Sequence, residues 1–138
     1  ELDIIMGASA PYLNEVCQQA AHLSFKATVS VNVKDMARRM YLADLAIGAA
    51  GATSWEHVCL GLPAVLVVLA ENQETGAKAL AVAGAVRTIA DPKLIGAMLP
   101  LILLELSNST ELKQISMAAS TITDGHGVFK VVKFMGAI

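Results

Sequence analysis

The sequence predicts an α/β domain with a mainly parallel sheet of about five strands and helices on both faces. Two observations carry this. Short apolar or β-branched runs alternate along the chain with longer stretches of helical periodicity. No repeat, linker or low-complexity tract interrupts the alternation, so residues 1–138 read as one domain.

The elements follow in order. Leu2–Met6 is an apolar strand that ends at a turn beginning with Gly7. A helix is expected from Pro11 to His22, with Pro11 at a tolerated first-turn position. Ala27–Val31 is a β-branched strand, and Asp35–Leu42 a short helix with an acidic residue near its start. Leu45–Ile47 is a third strand. The small-residue turn Gly48–Ala52 follows it, and a helix begins at Thr53 or Ser54. Gly61-Leu62-Pro63 ends that helix and launches the strand Ala64–Leu69. A helix over Gln73–Ala83, a strand over Val86–Ile89 and a helix over Pro92–Leu106 come next. Asn108 and Glu111 have the spacing of a capping box and open a helix reaching about Ile122. A last helix follows the turn Asp124-Gly125-His126-Gly127.

Composition narrows the function. Ten basic residues stand against 12 acidic ones, a net charge of −2, which argues against a polyanionic partner such as nucleic acid. Aromatic residues make up 4% of the chain, too few for base-stacking platforms. Cys17 and Cys59 form no C-x-x-C motif and are expected as packed thiols on amphipathic helices. No metal or cofactor is expected. The first residues lack a basic leader-type region, so a cytoplasmic location is expected. The run Leu94–Leu106 is apolar on nearly every face, yet it is too short to span a membrane and holds Pro100 and Glu105. It is expected as a helix buried on several sides.

Asp44–Glu56 is the candidate binding segment. Gly48, Gly51 and the alanines between and after them let a ligand approach the backbone closely. A helix start offers unpaired N–H groups and the positive end of a dipole, both suited to phosphate. Gly51, Ala52, Thr53 and Ser54 are therefore candidate diphosphate ligands, and Glu56 a candidate acceptor for sugar hydroxyls. Neither G-x-G-x-x-G nor G-x-x-x-x-G-K-[ST] is present. The same residues fit a second reading, in which Thr53 and Glu56 form a capping box.

The segment Ala43–Gly48, Gly51, Thr53–Glu56, Gly61–Pro63 and Ala70–Gln73 resembles the C-terminal half of the UDP-2,4-diacetamido-2,4,6-trideoxy-β-L-altropyranose hydrolases of pseudaminic acid biosynthesis. Leu2–Gly7, Val33–Met36 and Asp124–Gly127 extend the resemblance over nearly the whole chain. More distantly, the chain is similar to the N-acetylglucosaminyltransferases that form lipid II, which share the two-domain GT-B architecture. The resemblance implies hydrolysis of a UDP-sugar, with this domain binding the UDP. A GT-B glycosyltransferase donor domain is the alternative, and a non-catalytic nucleotide-binding or interaction module is a second one.

The resemblance also implies roles. Glu56 matches the glutamate that holds the ribose, and Val33 the position whose backbone reads the uracil edge, with Met36 beside it. Asn72 and Gln73 match amides that contact the sugar. No catalytic residue is expected in this chain, because the family places that chemistry in an N-terminal domain. That domain is the expected partner. The family pattern also has one more strand ahead of the one matching Leu2–Met6, so this chain is expected to be a fragment whose sheet is incomplete. An incomplete sheet invites self-association through an unpaired edge. His22, His57 and His126 are expected as structural residues, and Trp55 as a packing residue.

Overall fold

A computed structural model describes residues 1–136. The chain forms two compact units, Glu1–Met36 and the part from Ala37 onward.

In the first unit, β1 (Leu2–Met6) and β2 (Ala27–Val31) pair in parallel, from Leu2 opposite Ala27 to Met6 opposite Val31. Helix α1 (Leu13–Ala21) connects them. No residue of this unit is buried. Parallel strands are normally covered on both faces, and this pair is not. The exposure of Cys17 on α1 corrects the expectation of a packed thiol, because α1 buries none of its residues.

Helix α2 (Met36–Leu42) leads into the second unit, whose sheet has the order β3 (Ala46–Ala49), β4 (Ala64–Val67) and β5 (Arg87–Ile89), all parallel. β4 is the central strand and all four of its residues are buried. Its side chains alternate between two cores. Ala64 and Leu66 meet Val58 of α3 (Thr53–Cys59) and Ala77 and Leu80 of α4 (Glu71–Val82). Val65 and Val67 meet Ile102 and Leu106 of α5 (Ile95–Leu106) and Ile115 of α6 (Ser109–Ser120). This gives three layers, helix on sheet on helix. Helix α7 (Gly127–Phe134) completes the unit and buries none of its residues.

All five expected strands are present and parallel, but in two sheets, with no ladder joining β1–β2 to β3–β5 among the described residues. The expected helix from Pro92 begins as one 3₁₀ turn, Pro92–Leu94, capped by Asp91 through the Lys93 N–H at 2.9 Å. α5 is not enclosed as expected. It packs one stripe inward and leaves Leu101 68% and Leu104 72% exposed. α6 starts as the sequence indicates, with the Asn108 side chain accepting from the Thr110 N–H at 2.9 Å.

Candidate functional site: the carboxyl edge of β3 and β4

β3 and β4 are adjacent and parallel, so α3 and α4 both start at one edge of the sheet, the edge where ligands of open α/β sheets bind. The turn after β3 is pinned by the Ala50 N–H donating to the Val67 carbonyl at 2.8 Å. Nothing lies within 4 Å of a Cβ built on Gly48 or on Gly51, which leaves open space at both positions. The Ala52 and Thr53 N–H groups make no backbone hydrogen bond among the described residues, as the first donors of a helix must.

Ser54 departs from the expectation. Its N–H is engaged by the Gly51 carbonyl at 3.1 Å, and its side chain is 3% exposed. The reason is helical geometry: Ser54, His57 and Val58 form the inward face of α3. Trp55, one position further round, is therefore 50% exposed and is not the packing residue anticipated. Cys59 is exposed as well, beside the turn at Gly125 rather than in the core.

Glu56 lies on the outer face of α3 and is exposed. The capping box does not form. Ala52 is the N-cap residue, in right-handed helical conformation, and no side chain caps the helix. The Glu56 side chain has no hydrogen-bond or ion-pair partner among the described residues.

At the start of α4, Asn72 is exposed and Gln73 half-buried. The Gln73 Oε1 accepts from the Leu69 N–H at 2.9 Å, so its acceptor serves the helix entrance and its amide donors remain. Val33 lies in the loop after β2, and Met36 opens α2; both are half-buried. They belong to the first unit.

The histidines divide. The His22 Nδ1 lies 2.6 Å from the Gln18 carbonyl at the end of α1. His126 is the N-cap residue of α7, with its N–H donating to Asp124 Oδ1 at 3.0 Å and its ring tilted against Phe129. His57 is 6% exposed, and its Nδ1 is buried with no hydrogen-bond partner. Burial pulls its pKa down, against the opposing pull of Glu56. The sequence had no signal for this burial. Among the described residues no group of His, Cys, Asp and Glu could hold a metal ion. No helix there is long and apolar enough to cross a membrane.

A three-layer parallel α/β unit with two helix starts at one carboxyl edge defines a Rossmann-like α/β domain. Comparison with known proteins makes this specific. The glycosyltransferase family 28 C-terminal domain matches residues 1–129, and the chain belongs to that family. A curated relative from Moorella thermoacetica (strain ATCC 39073 / JCM 9320) is 34% identical over 119 residues, covering 80% of this chain. It is a UDP-N-acetylglucosamine–N-acetylmuramyl-(pentapeptide) pyrophosphoryl-undecaprenol N-acetylglucosamine transferase. The matched region is 32% of that relative's length.

The crystal structure of Acinetobacter baumannii MurG superposes with a TM-score of 0.81 at 24% identity, covering 99% of this chain and 41% of that one. A glycotransferase of kitacinnamycin superposes at 0.52 with 19% identity, covering 85% of this chain and 38% of that one. Both likenesses establish the fold: an α/β, Rossmann-like domain of the GT-B C-terminal kind.

Proposed function

We propose that this chain is the donor-binding domain of a GT-B glycosyltransferase that uses a UDP-sugar, with UDP-N-acetylglucosamine as the first candidate. The observation that carries the reading is Glu56. It occupies the outer face of a helix that starts at the ligand-binding edge, and it is spent on no cap or ion pair. The family match and the named activity of the Moorella relative support the transferase over the hydrolase.

In this reading the Gly51–Thr53 backbone receives the diphosphate, and the start of α3 stabilises the charge that develops on departing UDP. Thr53 adds a hydroxyl, and the buried Ser54 faces the interior rather than the ligand. Glu56 accepts from the ribose hydroxyls. Asn72 and the free amide donors of Gln73 contact the sugar. A role for Val33 and Met36 at the base rests on the family resemblance alone. The acceptor and the general base belong to a partner domain, and no residue of this chain is assigned that chemistry.

A hydrolase releasing UDP and a 2,4-diacetamido-2,4,6-trideoxy sugar would use the same edge; Thr53–Glu56 and Ala70–Gln73 favour it by resemblance. Product analysis separates the two. With UDP-N-acetylglucosamine and a polyprenyl-pyrophosphoryl-linked acceptor, a transferase makes a new glycoside in step with UDP. Free sugar in step with UDP, independent of acceptor, contradicts the proposal.

A further inference from the structure

We propose that His57 is a proton-sensitive support beneath the binding face of α3: the neutral, buried ring holds the helix start in place, and a proton on the ring releases it. The binding consequence rests on the donor-site reading above; the structural consequence does not.

α3 has seven residues and two faces. Thr53 and Glu56 lie outward, and Ser54, His57 and Val58 inward at 3%, 6% and 0% exposure. The inward face holds two orphaned polar atoms, Ser54 Oγ and His57 Nδ1. Residues three apart share a helix face, so the two orphans are neighbours. A neutral ring with Nδ1 as an unused acceptor is tolerable there. A protonated ring is costly there, because its new Nδ1 donor is within hydrogen-bond reach of no acceptor, Ser54 Oγ included, and the covered side holds no counter-charge.

The elements packed on α3 offer no compensation. β3 and β4 carry no ionisable side chain. α6 meets the end of α3 through Ser116 and Ser120 around Gly61. Its charged residues, Glu111 and Lys113, lie in its opening turns, and Glu111 pairs with Arg87. The turn at Gly125 brings Asp124 and His126 near Cys59, but Asp124 is held by Lys130. Glu56 is the one charge that favours the protonated ring, and burial outweighs it.

The protonated Nδ1 must therefore reach water. It lies on the covered side of a two-turn helix, so its solvation requires that helix to lift. Thr53 and Glu56 move with it, one turn away. The sign is fixed by the lowered pKa: the folded ring binds its proton more weakly than the unfolded one. The contribution to stability is full above the unfolded value of about 6.5 and is lost as pH falls toward the folded value.

The test compares the full chain with its His57→Leu variant, a side chain of similar bulk that cannot titrate. Melting temperature and affinity for UDP-N-acetylglucosamine are followed from about pH 7.5 to about pH 5, the range in which histidines change charge. The wild type should lose both together in acid, the affinity by up to about tenfold for each unit by which binding lowers the ring's pKa. The variant should lose this component of both. Equal acid sensitivity in the variant overturns the proposal, as does tighter binding in acid.

If the variant does not fold, NMR titration of the wild-type ring decides. A ring pKa below the ordinary value that falls further on adding UDP-N-acetylglucosamine supports the proposal, and one at or above it overturns it. Absence of nucleotide-sugar binding at every pH defeats the donor-site reading. The melting curves and the ligand-free ring pKa then decide the fate of the support.

Discussion

Gln73 and Leu69 are tied across the entrance of α4: the side-chain Oε1 of Gln73 accepts from the Leu69 backbone N–H at 2.9 Å. The bond joins the segment leaving β4 to the first turn of the helix. It gives one side chain two separable duties, because the acceptor is occupied and the amide donors are not.

Substitution separates them. Gln73→Leu should cost about 0.5–2 kcal/mol of stability, the range for losing a cap. Gln73→Glu keeps an acceptor for Leu69 and loses the donors. It should hold the urea midpoint near wild type while weakening UDP-N-acetylglucosamine. A Glu variant that binds as tightly as the wild type shows that Gln73 is a cap and nothing more.

Arg87 on β5 holds Glu105 of α5 through Nε at 3.0 Å and Nη2 at 2.7 Å, and reaches Glu111 of α6 at 3.3 Å. The three side chains are 29%, 47% and 33% exposed, so solvent screens the network. Arg87→Met should destabilise by about 1 kcal/mol, nearer the value of surface pairs than of buried ones. The difference from wild type should shrink in denaturation curves recorded at high salt.

Gly125 adopts φ +73°, and a Cβ there would stand 3.0 Å from Cys59 Sγ. Gly125→Ala should therefore lower stability by about 1–2 kcal/mol from the left-handed backbone alone. Adding Cys59→Ala relieves the contact and should recover part of the loss. Thermal melts of the single and double variants measure the coupling between α3 and the entrance to α7.

The Asp124 carboxyl is held at about 2, first by its hydrogen bond from Lys130 and then by the His126 N–H. A lowered carboxylate pKa contributes above the unfolded value and is lost as pH falls through the folded one. The α7 entrance should therefore keep its tether through mild acid. In an NMR titration, Lys130→Ala should raise the Asp124 midpoint; an unmoved midpoint removes Lys130 as the leading cause.

Much of this was legible in the sequence. β4 is a continuous apolar run and is buried throughout. The Thr53 helix start and the Asn108 cap were written in local residues. What escaped depended on which way a helix faces. Thr53 and Glu56 had capping-box spacing, yet the helix starts one residue too early to use it. Ser54 and His57 look polar in sequence and are buried because α3 turns that face to the sheet. Leu101 and Leu104 look like core and are exposed because α5 covers the sheet with one stripe only. The division into two sheets had no local signal, since strand pairing is a long-range property.

The most direct test is calorimetric titration of UDP into the full chain and its Glu56→Gln variant. Gln keeps the shape and loses the charge. The account predicts an unchanged melting temperature and a loss of roughly 1.5–3 kcal/mol in binding, about ten- to 150-fold in affinity. Unchanged affinity with a lowered melting temperature would contradict it and make Glu56 a structural residue of α3.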